Sequence, residues 1–230
     1  MGLFSGRRAD SPAWQNEDPK IRRAAVARLE DPTILSEILQ TDTDDEVKRR
    51  AHEALVALAQ TIDLSVALRA LAALSDEAGL LAAARSAVLT EVAQTALGRL
   101  DSPKALGAVA RQGSALAVRI EAIKRLRDVS ELESVALKSE EKDVAMAALD
   151  RLMEDEILAD LTPEARAELL STLSERARNR TVAKRARTLL RGDDEPAAPV
   201  RPRLTDRVRQ KEVCEAMELL AAAAEPEGLL

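Results

Sequence analysis

Aromatic residues are nearly missing from this chain. Its 230 residues include no Tyr, one Phe (Phe4) and one Trp (Trp14). Pockets for flat ligands, and surfaces that stack unpaired bases, draw on aromatic faces, so both readings begin with almost no material. A single cysteine, Cys214, excludes an internal disulfide and suits a reducing compartment. The one histidine, His52, has no His or Cys nearby to complete a zinc ligand set, and no flanking motif to make it part of a Ser-His-Asp relay. The eight glycines are scattered and form no phosphate-binding loop. No apolar run reaches the roughly 18 residues of a membrane span, and the opening MGLFSGRRADS lacks an apolar signal core. Met1-Gly2 is followed by Gly6 where a myristoylation signal needs Ser or Thr. A cytoplasmic location is the resulting expectation.

What the chain has instead is Ala, Leu and Val. Apolar residues make up 46% of it, and the first two are the strongest helix formers among them. With Gly scarce and β-branched runs few, the composition specifies close-packed helices meeting through small side chains, an all-α fold. Charge is uneven. From Arg176 to Lys211 there are twelve Lys/Arg against four acids, a balance of +8; with a total of −6, the rest carries −14. A basic end on an acidic body suits an anionic partner, although a solvated helix surface is the commoner meaning of such a run.

The organising unit is clearest in Val118–Leu137, VRIEAIKRLRDVSELESVAL. Val118, Ala122, Ile123 and Leu126 share one helical face; Asp128 stands where a second helix needs an N-cap; Leu132, Val135 and Ala136 form the next apolar face. Neither helix can bury its face alone, so the unit must stack on copies of itself. The pattern V/I-x-x-x-A-x-x-x-L recurs at Ile21/Ala25/Leu29, Val47/Ala51/Leu55, Val92/Ala96/Leu100, Val118/Ala122/Leu126, Val144/Ala148/Leu152 and Val182/Ala186/Leu190. The starts at 92, 118 and 144 are 26 apart, as are 21 and 47. Ten residues after four starts comes a capping or acidic residue (Asp31, Ser102, Asp128, Glu154), and fourteen after comes Leu35, Leu106, Leu132 or Leu158. A further match at Val66/Ala70/Leu74 breaks the period and reads equally well as chance or as a second helix. Repetition at this length specifies an α-solenoid of short helix pairs. Leu126→Ala or Leu152→Ala should then cost about 2–5 kcal/mol.

Four segments follow: an irregular lead-in at 1–17, repeats over 18–191, a Pro/acidic linker at 192–203 and an amphipathic helix at 204–224. Asp18-Pro19 starts the first repeat helix, and Thr162-Pro163 starts an extra segment in the interval from 144 to 182, which is 12 residues longer than the period. Ending on Leu229-Leu230 just past a Pro-Gly break suggests that the natural sequence continues.

With V/I-R/K at Ile21-Arg22, Val47-Lys48 and Val118-Arg119, and R-L before an acid at Arg28-Leu29, Arg125-Leu126 and Arg151-Leu152, the repeat resembles the HEAT-like superfamily. More narrowly, WQNEDPKIRRAAVARLEDPTIL at 14–35 is similar to the opening of the bacterial "domain of unknown function 349" proteins, in which a Trp precedes several such repeats. RQKEVCEAMELLAAAA at 209–224 is similar to the helix that follows them. Members generally continue into long helical or coiled-coil regions that this chain lacks. The resemblance implies no activity, cofactor or catalytic residue.

The charged constellations divide into structural and functional readings. Arg28 with Asp31, and Arg125 with Asp128, sit across a helix end; pairing that fixes how repeats stack is preferred to a ligand-contacting ladder. Asp42/Asp44/Asp45/Glu46 and Glu154/Asp155/Glu156/Asp160 fit helix N-termini better than a calcium loop. Trp14 is read as a cover on the open end of the first repeat, His52 as a surface or inter-helix residue, and Cys214 as a small apolar contact. The candidate partner-binding patch is Arg176, Arg178, Arg180, Lys184, Arg185, Arg187 and Arg191, with no acid among them. No catalytic constellation, metal site or cofactor is indicated. HEAT-like folds include bilin lyases and DNA-base glycosylases, but those need an aromatic-lined pocket with placed acids or cysteines. The leading expectation is a non-catalytic scaffold that binds a protein partner; the alternative is nucleic-acid or ribonucleoprotein binding through the basic end.

Overall fold

The computed structural model describes residues 12–159 and 161–192. The chain divides into two units, residues 1–191 and 192–230, and the structure described is that of the first. The linker expected at 192–203, apart from Gly192, the helix expected at 204–224 and Cys214 lie outside the described residues. So does the lead-in before Pro12.

Among the described residues there are thirteen α-helices and one 3-10 turn, and no strand. The turn, Ala13–Gln15, precedes α1 (Pro19–Val26), α2 (Pro32–Thr41), α3 (Asp45–Leu58) and α4 (Leu64–Ala73). Then come α5 (Glu77–Ser86), α6 (Thr90–Gly98), α7 (Pro103–Gln112), α8 (Leu116–Arg125) and α9 (Val129–Lys138). The last are α10 (Lys142–Leu152), α11 (Asp155–Leu158), α12 (Pro163–Arg176) and α13 (Arg180–Leu190).

Local chemistry starts and stops these helices. Asp18, Asp31, Asp44, Asp63, Asp76, Ser102, Asp128, Thr162 and Asn179 each accept a backbone N–H of the first turn through the side chain. Each satisfies a donor that the helix itself leaves unpaired. Proline occupies the start of α1, α2, α7 and α12, where its missing N–H costs nothing. Glu154 departs from the expected capping role: its carboxylate takes a hydrogen bond from Arg151, and it makes no side-chain cap. After α13 the helix ends on Gly192, whose φ of 71° places it in the left-handed region that glycine enters without a Cβ penalty.

The helices form two layers. One contains α1, α3, α5, α7, α9 and α12; the other contains α2, α4, α6, α8, α10 and α13, each helix packing on the next of its own layer. Across the layers, α2 with α3, α5 with α6, α7 with α8, α9 with α10 and α12 with α13 make close hairpins. This is the expected α-solenoid, and its core is a continuous stripe of Ala, Leu and Val between the layers. All three motif positions are buried in the repeats starting at Val47, Val92, Val118 and Val144.

The ends differ from the expectation. Ile21 is 44% exposed and Leu190 40% exposed; among the described residues α1 and α13 have a same-layer neighbour on one side only. Near the insertion, Ile157 is the fully buried residue and Leu158 is half-buried. The longer interval holds the single-turn α11 and a 14-residue α12.

The irregular middle also resolves. Val66/Ala70/Leu74 is a repeat position in its own right, with Ala70 and Leu74 fully buried. Helix α4 is a lone helix between the α2–α3 and α5–α6 hairpins. The motif lies on α1 and α3 in one layer, then on α4, α6, α8, α10 and α13 in the other. One unpaired helix thus moves the motif from one layer to its opposite.

Candidate interaction surfaces

The arginines just before the motif leucines set the frame. Arg99 donates through both Nη atoms, to the carbonyls of Leu71 at 2.7 Å and Leu74 at 2.5 Å. Arg125, one period later, donates to the carbonyls of Leu97 and Leu100, the latter at 2.7 Å. Arg151 donates from Nε to the carbonyl of Leu126 at 3.2 Å. In each case a planar guanidinium donates to carbonyls at the C-terminal end of the preceding motif helix, where helix geometry leaves accepting capacity unused.

The expected Arg125–Asp128 pair therefore does not form. Asp128 caps the N–H of Glu131 at 2.8 Å, and Arg125 reaches back a whole repeat instead. Asp31 likewise caps Thr33, while Arg28 is exposed on the first repeat, which no motif helix precedes among the described residues. Arg99 and Arg125 thus govern stacking through main-chain carbonyls, while Arg151 adds to its carbonyl bond a pair with Glu154, the acid three residues on.

The clamps also orient the layer. Because the C-terminal ends of α4, α6, α8 and α10 adjoin, their N-terminal ends share the opposite edge. Hydrogen bonds between successive loops hold that edge together. The N–H of Ser114 donates to the carbonyl of Arg85 at 2.9 Å, and Arg119 pairs with Glu141. The N–H of Arg178 then donates to the carbonyl of Leu137, and the Asn179 amide to that of Glu140, both at 3.0 Å. Large apolar side chains stand exposed along this edge: Ile62 at 81%, Leu64 at 39%, Val88 at 64% and Leu116 at 40%. Leu116 also belongs to a shallow, mostly apolar groove with Ala117 and Ile120, rimmed by Glu121 and Lys124. A second groove runs between α2 and α4, past Pro32, Gln40, Arg69 and Ala73.

At the first repeat, two arginines are neutralised pairwise. Arg22 makes a two-point contact with Asp42, Nε to Oδ2 at 2.8 Å and Nη2 to Oδ1 at 2.9 Å, and Arg23 meets Asp44 at 3.0 Å. The hydrogen bond from Arg22 holds the Asp42 carboxyl below its usual range, and that from Arg23 does the same for Asp44. These acids serve stacking and capping, and no group of three or more His, Cys, Asp or Glu among the described residues is arranged to hold a metal ion. Trp14 lies half-buried against the first repeat, beside Arg22 and Ile38. His52 Nε2 lies 2.7 Å from Asp76 Oδ1, joining α3 to the N-cap of α5.

The structure separates the basic segment into two sets. Arg178 pairs with Glu140 at 3.0 Å across the loop edge. Arg185 stands near Asp150, whose carboxyl is pushed up by partial burial and pulled the other way by that guanidinium. Arg180, Lys184, Arg187 and Arg191 follow one another at helical spacing on an exposed side of α13, opposite the buried Val182 and Ala186. Arg187 also donates to the carbonyl of Ser174 at 2.9 Å. Arg176, at the end of α12, is exposed as well.

Fold and surface together define an α-solenoid: two helix layers, clamped repeat to repeat, with an apolar loop edge and a cationic last helix. No family model matches the chain, and no curated protein matches it. No helix among the described residues is long and apolar enough to cross a membrane.

Proposed function

We infer that this chain is a non-catalytic scaffold of HEAT-like repeats, related to the bacterial "domain of unknown function 349" proteins, that docks a protein partner in the cytoplasm. The observation that carries the reading is the row of exposed Ile62, Leu64, Val88 and Leu116 on consecutive loops of one edge. Apolar side chains of this size, gathered on one edge, are what a partner's own apolar residues can cover. The adjoining α6–α8 groove gives that partner a shallow seat. Interaction scaffolds built from helical repeats use such extended surfaces.

The test compares the native full-length chain with an Ile62→Ser, Val88→Ser, Leu116→Ser variant as baits in lysate of the source organism, with nuclease present. The edge reading expects a defined protein that survives nuclease and is lost from the variant, while circular dichroism shows equal helicity. Partners retained in equal yield by the variant would refute the edge as the docking surface.

A further inference from the structure

The cationic stripe on α13 is a surface of a different kind. We propose that Arg180, Lys184, Arg187 and Arg191 bind the phosphate backbone of double-stranded nucleic acid, without regard to sequence. This extends beyond the scaffold reading and uses a separate face.

The two ends of the described stack show why the stripe calls for an anion. A terminal helix needs a polar outer side, since no further repeat covers it. At the first end two of the three cations of α1 are matched: Arg22 meets Asp42 and Arg23 meets Asp44, and Lys20 alone makes no ion pair among the described residues. On α13 Arg185 stands near Asp150, but the stripe shows no such matching among the described residues. Among the described residues none of the four stripe cations pairs with a carboxylate, and Arg180 and Lys184 make no side-chain hydrogen bond. Solubility alone would be served by mixed charge; four cations in a row, with Arg176 beside them, leave positive potential uncancelled among the described residues.

Spacing and chemistry narrow the partner. Steps of four, three and four residues place the cations along one line about 16 Å long, at intervals of about 4.5–6 Å. That is a length over which several duplex phosphates lie within reach. The stripe itself holds no apolar or aromatic anchor of the kind that protein interfaces bury at their centres. The one aromatic among the described residues, Trp14, belongs to the first repeat, so stacking on unpaired bases has no platform here. Arginine forks on phosphate oxygens give affinity without base readout.

The experiment is fluorescence anisotropy of the full chain with a labelled, random-sequence DNA duplex of about 20 base pairs. With four phosphate contacts, affinity should fall roughly 150-fold between about 50 and 200 mM salt. The double variant Arg180→Gln, Lys184→Gln should bind at least about tenfold more weakly at the lower salt, with the log–log salt slope reduced by about 1.8. Arg180→Lys with Lys184→Arg should keep both affinity and slope, and circular dichroism should show all chains equally helical. Absence of duplex binding at about 50 mM salt, or an unchanged slope in the Gln variant, would overturn the proposal. Tighter binding of poly-glutamate than of duplex would also overturn it and assign the stripe to an acidic protein. Loss of the protein partner from the edge variant leaves this assay unaffected, so the two readings fail separately.

Discussion

Replacing Arg125 by Ala removes a two-pronged donor from the C-terminal end of α6. The carbonyls of Leu97 and Leu100 both lose a charged partner, and the buried setting of these residues limits the water that can take its place. Hydrogen bonds to charged groups contribute about 1.5–3 kcal/mol each. The Arg125 side chain is 29% exposed, which moderates the sum, so a loss of about 2–3 kcal/mol follows. With a urea m-value of about 2–3 kcal/mol per molar, the midpoint should drop by about 1 M. Two controls separate the clamp from simple ion pairing. Arg125 also lies 3.3 Å from Asp101, but that carboxylate is 93% exposed, so Asp101→Ala should leave the midpoint where it is. Arg28→Ala, at the same motif position with no preceding motif helix among the described residues, should be silent too. Urea unfolding followed by far-UV circular dichroism reads all three. An Arg125→Ala midpoint within error of the parent would refute the clamp, and an Asp101→Ala loss as large as that of Arg125→Ala would show that the salt bridge carries the interaction.

The remaining predictions concern the core, one glycine and acid. Leu152→Ala should cost about 2–5 kcal/mol because that side chain is fully buried, while Leu190→Ala, partly exposed at the end of α13, should cost well under half as much in the same urea assay. A Cβ on Gly107 would stand 2.2 Å from Glu131 Oε2, the carboxylate that Arg111 holds at 2.6 Å. Gly107→Ala should therefore forfeit its helix-propensity gain in the parent but stabilise a Glu131→Ala background by about 1 kcal/mol, a coupling that a double-mutant cycle measures. The Asp42 and Asp44 carboxyls are held below their usual range when folded, so their contribution is complete above the unfolded carboxylate pKa of about 4. It is lost as pH falls through the lower folded values; Asp42→Asn should thus be less stable than the parent at neutral pH and lose less stability on acidification, read from thermal unfolding across pH.

The motif positions were legible because a helical repeat writes its buried face at spacings of four, and Val118, Ala122 and Leu126 carry that face in their own order. Caps were legible for the same reason, since Asp128 acts on its own first turn. The partner of Arg125 was not, because it lies in the preceding repeat, and a nearby acid such as Asp128 looks equally suitable in a linear chain. A signal was nevertheless present: Arg99, Arg125 and Arg151 recur at the repeat period, and Arg28 shows that the acid alone does not hold them. Helix α4 was obscured because its motif arrives 19 residues after the one before it, and a search for period rejects what burial of Ala70 and Leu74 accepts. The apolar edge was missed altogether. Yet a signal exists: Ile62 and Val88 each stand four residues before a motif Val, and Leu64 and Leu116 two before one, although only the stacking of loops makes them neighbours on one edge. The basic residues were named together, but the sequence does not tell which of them turn back to Glu140 and Asp150.

The lone α4 behaves as a stacking fault does in a layered crystal. Adding or deleting a whole helix pair lengthens or shortens the array and leaves every later unit the same way round. A single helix reverses the sidedness of all that follows. A ligand built to grip the motif-bearing side of successive units could therefore not travel along this chain from α1 to α13, because past α4 that side has become the other one. The array holds two short runs of opposite polarity, and whatever spans it must recognise the motif helices on one run and their companions on the other.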